Sequence, residues 1–189
     1  MKKILSLVLC LMMLLPIVAL GESEYVTMDI GDYTMDVLPT DICLTGAKTD
    51  GGQMFQMFVN YDEAANFHPN MVGAWMSQDM GPIFDLGAIT PADFAGMMLE
   101  QAVGQLKTQG IVVNGSELLD ASYADGVMVL TFSMDVDYTG AGVDLVMTLV
   151  QRQIYVMRGE AGTYLFNLGS DSVEAVDDMM VYYNSIQFK

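Results

Sequence analysis

The chain has 189 residues, with 24 Asp and Glu against seven Lys and Arg, and a formal net charge of −17. Such a surface repels nucleic acid and anionic lipid, because it has no basic patch to displace counterions from phosphates; it suits cations or a basic partner instead. With 52% hydrophobic residues and acids scattered among apolar positions, the chain is a folding one and not a disordered acidic tail.

The N-terminus reads MKKILSLVLCLMMLLPIVALGES. Lys2 and Lys3 are a basic head, Ile4 to Leu20 an apolar run, and Ala19 and Gly21 the small residues at −3 and −1 of a cleavage after Gly21. This predicts a secretory signal peptide over residues 1–21 and a mature chain over 22–189. At 17 residues the apolar run sits at the lower limit of a bilayer span, so the membrane is expected to be met only during export. Cys10 lies in the middle of that run, not at its end, which argues against a lipoprotein cysteine. Cys43 is then the one cysteine of the mature chain, and it can close no internal disulfide. Its alternation with Ile42 and Leu44 predicts a buried strand thiol and not a nucleophile.

Two alternating runs around Gly31-Asp32 predict a β-hairpin, with Val26, Met28 and Ile30 on one face of the first and Tyr33, Met35 and Val37 on one face of the second. Residues 42–45 and 53–61 predict strands separated by the turn-rich KTDGG. A polar loop, DEAANFHPN, leads to another strand, MVGAWMS. Next comes a helix over residues 89–110. Thr90 suits its N-cap, Pro91 its first position, Asp93 its positive end and Gly110 the left-handed position beyond it. Phe94, Met98, Ala102 and Leu106, with Ala95 and Met97 beside them, form its apolar face. Ile111 to Tyr123 reads as a linking run. Three strands follow. In VMVLTFSMDV the inner face is Met128, Leu130, Phe132, Met134 and Val136, and Thr131, Ser133 and Asp135 lie on the other. VDLVMTLVQRQIYVM places Val143, Leu145, Met147 and Leu149 on one face, and TYLFNL is short and aromatic. DSVEAVDDMMVYYNSIQF then turns helical. Asp171 and Glu174 imitate a capping box, and Val173, Val176, Met180 and Tyr183 form the buried stripe. No repeat or linker interrupts the mature chain, which predicts one domain over 22–189.

Three features invite a chemical reading. DVDYTGAGVD places Asp135, Asp137, Thr139 and Gly140 at EF-hand positions one, three, five and six, yet position twelve is Val146 and both flanks alternate as strands do. The stretch therefore reads as a hairpin loop in which Gly140 and Gly142 permit positive φ; Asp135, Asp137 and Asp144 together leave a low-affinity divalent-cation site as the alternative. His68, the single histidine, stands near Asp62 and Glu63 in a loop of turn formers, where a solvated loop is the simpler account of a metal-capable set. Of 18 methionines, 15 belong to the mature chain, and thioethers can bind Cu(I). Their periodic placement predicts core filling instead. The chain contains no G-x-S-x-G and no Gly-rich phosphate loop. No catalytic residue, cofactor or metal ligand is assigned, and these residues give an enzymatic reading no support.

The order of elements, a hairpin, short strands, a Thr-Pro-capped helix, an antiparallel meander and a closing helix, resembles the PsbP-like family. So does the run QRQIYVMRGEAGTYLFNLGSDS with NSIQF after it. The resemblance covers about residues 25–188. It implies an α+β fold, an antiparallel β-sheet flanked by helices in an α/β/α sandwich, and a non-enzymatic accessory or protein-binding module; the expected partner is an unidentified protein or small ligand. With the signal peptide, the expectation is a secreted or envelope-associated accessory protein.

Overall fold

The computed structural model describes residues 25–189. The predicted signal peptide, Cys10 and the predicted mature N-terminus at Glu22 lie outside the described residues. Among the described residues, ten strands form two antiparallel sheets. The large sheet has the order β3-β4-β5-β9-β8-β7-β6, with β3 at Ile42–Thr45, β4 at Gly52–Phe58, β5 at Asn70–Met76, β6 at Val112–Ala124, β7 at Val127–Asp137, β8 at Val146–Met157 and β9 at Thr163–Ser170. The small sheet is β1 (Val26–Asp29), β2 (Tyr33–Val37) and β10 (Gln187–Phe188), in the order β1-β2-β10. The α-helices among the described residues are α1 (Gly81–Asp85), α2 (Pro91–Thr108), α3 (Val173–Asp178) and α4 (Met180–Asn184). Among the described residues no helix is long and apolar enough to cross a membrane.

Strand alternation sends alternate residues to opposite cores. On β7, Met128 and Leu130 pack with Phe94 and Ala95 of α2 and with Phe84 of α1, while Phe132, Met134 and Val136 form a neighbouring cluster with Ile111 and Leu149. The opposite face of the sheet gives Val150, Ile154, Tyr164, Phe166 and Leu168 to a second core. That core is closed by Tyr33, Met35 and Val37 of β2 and by Val176, Met179 and Tyr182 of the C-terminal segment. The molecule is thus an α+β fold, an antiparallel sheet with helices on both faces. Arg152 ties one helix layer down: its guanidinium donates to Thr131 Oγ1 at 3.1 Å and to Asp177 of α3 at 2.6 Å.

The hairpin pairs as expected, Met28 opposite Met35, and α2 begins as expected, Thr90 Oγ1 accepting from Asp93 N at 3.1 Å. Gly110 follows the helix at φ 81°. Other expectations need correction. Ile111 to Tyr123 is not a linking run: β6 fills most of it. Its inward residues are Val113, Gly115, Leu118, Ala121 and Tyr123, because bulges at Val113/Gly115 and Leu118/Asp120 break the period of two. The C-terminal segment is two short helices and a strand, not one helix. Its N-cap is Ser172, whose Oγ accepts from Ala175 N at 3.2 Å, and not Asp171. Its buried stripe is Val176, Met179 and Tyr182, while Val173 is exposed. The spacing of three arises at the break, where Tyr182 N donates to Met179 O at 3.1 Å in a 3₁₀-type bond. The strand after the acidic loop starts at Val146, which leaves Val143 exposed in the loop.

Methionine fills the cores. Met35, Met54, Met57, Met71, Met128, Met134 and Met179 are buried, and seven more pack half-buried against the same clusters. Met97 differs: predicted beside the apolar face of α2, it is 47% exposed. Mild peroxide is therefore expected to oxidise Met97 first in the folded protein, read by peptide mass spectrometry; oxidation spread evenly over ten or more methionines without unfolding would contradict this packing.

Candidate functional site

The acidic hairpin loop is held by its own side chains. Asp137 Oδ1 accepts from Thr139 N at 2.9 Å and from Thr139 Oγ1 at 2.6 Å, and those two bonds hold its carboxyl below the usual range. Asp135 accepts from Thr148 Oγ1 at 2.9 Å. Gly142 takes φ 85°, as expected, but Gly140 does not have positive φ. It is needed for another reason, because a Cβ there would stand 2.5 Å from Gly110 O. His68 does not turn towards Asp62 or Glu63. It stacks on Tyr61 with ring centroids 4.5 Å apart, and Asp62 accepts from Ala64 N at 2.9 Å. Among the described residues no three acidic, histidine or cysteine side chains form a group able to hold a metal ion. The melting temperature of wild type and of Asp135→Asn/Asp137→Asn is expected to be the same in millimolar Ca²⁺ and in EDTA. A calcium-dependent rise in wild type that vanishes in the double variant would make the loop a site.

Cys43 faces Met57 across β3 and β4 and packs half-buried against the larger core. Burial, with Asp41 nearby, pushes its thiol up to about 11, so little thiolate forms near neutrality.

The chain's charge is most unusual at one end of the two sheets. A cleft of about 280 Å³ opens there, lined by Asp32, Lys48, Arg158, Tyr164, Phe188 and Lys189 among others. Three of the five basic residues after Gly21 thus line one cleft of an acidic protein. Each arrives from a different segment. Asp32 sits in the β1–β2 turn, Lys48 in the loop after β3, Arg158 in the β8–β9 turn, Tyr164 on β9 and Phe188 on β10. The last strand pairs Phe188 with Tyr33, and Lys189 N donates to Asp32 O at 2.9 Å, which brings the chain's end to the hairpin turn.

Asp32 is the hub. Its Oδ2 accepts from Lys48 Nζ at 2.5 Å and from the Tyr164 hydroxyl at 2.6 Å. These two bonds, Lys48 first, hold its carboxyl below the usual carboxylate range, and the bond to Asp32 raises Lys48 in turn. The Tyr164 phenol is pushed up by burial first and by Asp32 second. Lys48 Nζ also stands 4.1 Å from the Trp75 ring centroid, a cation–π contact. Lys189 Nζ donates to Asp29 Oδ1 at 2.6 Å. Arg158 lies 4.2 Å from the Phe188 ring centroid and has no ion pair among the described residues.

The depressed Asp32 carboxyl has a sign that can be tested. A folded-state value below the ordinary one contributes stability above the unfolded value and loses it as pH falls through the folded value. The melting-temperature gap between wild type and Asp32→Asn is expected to be full at pH 7, to start closing below the ordinary 3.8, and to be small once pH is below the folded value. A gap that is constant from pH 7 to pH 2 would mean that the Lys48 contact does not set it.

Neither the acidic loop, nor the His68 loop, nor Cys43 belongs to this cleft. Its members are too far apart in sequence to form a motif, and the one available signal was the rarity of cations: with five after Gly21, the position of each is informative. No protein-family model matches the sequence, and no curated protein matches it. Among solved structures, the chain is similar to cyanobacterial PsbP from Synechocystis sp. PCC 6803, with TM-score 0.54 and 14% identity over 93% of this chain and 99% of that one. It is also similar to the Saccharomyces cerevisiae Ran-binding protein Mog1p, with TM-score 0.51 and 10% identity over 88% of this chain and 96% of that one. At such identities the likeness is one of architecture, and it agrees with the strand order and flanking helices described above: the chain has the PsbP-like α+β fold.

Proposed function

We propose that the protein is an exported, single-domain, non-enzymatic binding or accessory protein of the cell envelope or extracellular space, and that the cleft between its two sheets is where it binds. The observation that carries this reading is the make-up of the cleft. Asp32, Lys48 and Tyr164 are turned onto one another, and Lys189 onto Asp29, so these polar groups shape a surface. Aromatic rings from three strands, Trp75, Tyr164 and Phe188, stand around them. Concave sites that combine apolar walls with a few fixed polar groups are characteristic of ligand recognition. The leader pattern of residues 1–21 supports export, and the acidic surface supports solubility there.

Two measurements test it. Mass spectrometry of protein collected outside the cytoplasm is expected to find a chain beginning at Glu22; an intact Met1, or an acylated Cys10, would refute export. Ala161 lines the cleft, so Ala161→Trp is expected to fill it without entering either core. Cross-linked capture from the native envelope should recover a partner with wild type and lose it with Ala161→Trp. Equal recovery would place binding elsewhere on the molecule.

A further inference from the structure

We infer that the cleft is a receptor for a carboxylate carried on an apolar or aromatic body, and that Arg158 is the group that grips it. This rests on the reading of the cleft as the binding site. The observation behind it is an anomaly of charge. The chain has 24 Asp and Glu, and among the described residues three of the five cations after Gly21 have found one: Lys48 with Asp32, Arg152 with Asp177 and Lys189 with Asp29. Lys107 lies in the last turn of α2, where the helix dipole favours a cation. Among the described residues Arg158 has neither an acid nor a helix end. It is turned onto the Phe188 ring, a contact that uses its charge and leaves its N–H donors for another partner.

Its position is fixed. Arg158 N donates to Gly162 O at 2.9 Å and Ala161 N donates to Arg158 O at 3.1 Å, so the residue closes a tight 3₁₀ turn. That turn is fastened to β5 by Trp75 Nε1, which donates to Ala161 O at 2.8 Å. A guanidinium held on a rigid turn loses little freedom when it binds, and its planar fork matches a carboxylate with two parallel bonds.

The charge count selects a monoanion. Among the side chains lining the cleft, Lys48 and Lys189 are already balanced by Asp32 and Asp29, which leaves the Arg158 guanidinium as the one side-chain cation there without a carboxylate. A carboxylate balances it. A phosphate dianion would carry excess charge beside two carboxylates on a protein that is strongly negative overall. The remaining walls, Tyr164 and Phe188, are rings, and they suit an apolar body behind the carboxylate.

The chain has one tryptophan, Trp75, and it stands under Lys48 at this site, so its fluorescence reports on occupancy. The probes are N-acetylphenylalanine, the same molecule as its neutral amide, and inorganic phosphate. N-acetylphenylalanine is expected to change the Trp75 emission saturably, and the amide to bind at least tenfold more weakly. Arg158→Gln should weaken the acid at least tenfold while leaving the thermal melt and the weak binding of the amide unchanged. Arg158→Lys should fall between. Lys107→Gln, away from the cleft, should behave as wild type. The inference is overturned if the acid gives no saturable change, if the amide binds equally, if Arg158→Gln binds the acid as wild type does, or if phosphate binds as tightly as the acid. Any of these with cleft-dependent capture intact would refute the carboxylate and leave the binding site standing; loss of cleft dependence in the capture would refute the site itself.

Discussion

Replacing Phe166 with alanine is expected to destabilise the protein by about 4 kcal/mol and to lower its melting temperature by on the order of 10 °C. Phe166 is fully buried on β9, a strand with partners on both sides. Its ring meets Tyr33 of the small sheet at 5.5 Å, Tyr183 of α4 at 5.7 Å and Phe188 of β10 at 6.4 Å, each edge to face. One side chain therefore joins the large sheet, the small sheet and a helix. Alanine leaves a cavity that elements from three layers would have to move together to fill. Phe166→Leu separates the contributions: it keeps most of the apolar burial and loses the ring contacts, and should cost about 1–2 kcal/mol. Urea unfolding of the three proteins with a common m-value is the measurement. A loss below about 1.5 kcal/mol for Phe166→Ala would mean that the two sheets do not share a core. A binding effect should accompany it, because Phe188, on which Arg158 rests, packs on Phe166.

Phe166 was legible in the sequence as part of an aromatic strand; its partners were not. The difference follows from what each contact depends on. Alternation is local, so Met128 to Val136 on β7 could be sorted into inner and outer residues, and all five inner ones are buried. The same logic failed on β6, because two bulges shift the inward residues from a spacing of two to three and back, leaving no single period to read. It failed again at the C-terminus, where the break between α3 and α4 rotates the stripe to Met179 and Tyr182. The cleft lies furthest from sequence. Asp32 and Tyr164 share a hydrogen bond across 132 positions, and Asp29 and Lys189 share one across 160. Pairing at such distance is decided by sheet order, which no local pattern carries. The loop at Asp135 is the converse case. It looked like a site because its spacing is local, and the structure turns the same carboxylates to Thr139 and Thr148.

Gly162→Ala should be as costly as the loss of Phe166, and for a reason that does not involve a cavity. Gly162 has φ 84° and ψ −158°, a region open essentially to glycine alone. A Cβ added there would stand 2.2 Å from Met76 O, 3.0 Å from Trp75 Nε1 and 3.2 Å from Ser77 O. Two of those atoms are backbone oxygens at the end of β5, and they can give way only if the strand end moves. Conformational strain of about 1–3 kcal/mol and overpacking of about 1–3 kcal/mol add to roughly 4 kcal/mol. Gly159 supplies the control within the same turn. It too has positive φ, 57°, but a Cβ there meets nothing within 4 Å, so Gly159→Ala should cost only about 1–2 kcal/mol. The pair tests function as well as stability. Gly162 O accepts from Arg158 N, and one of the three close contacts is with Trp75 Nε1, the indole nitrogen that fastens the turn to β5. Gly162→Ala should therefore shift the Trp75 emission of the folded protein and weaken N-acetylphenylalanine binding more than Gly159→Ala does, when both are measured at a temperature where each is fully folded. Equal unfolding free energies for the two variants would show that contact with β5 does not constrain the turn, and the placement of Arg158 would then lose its structural basis.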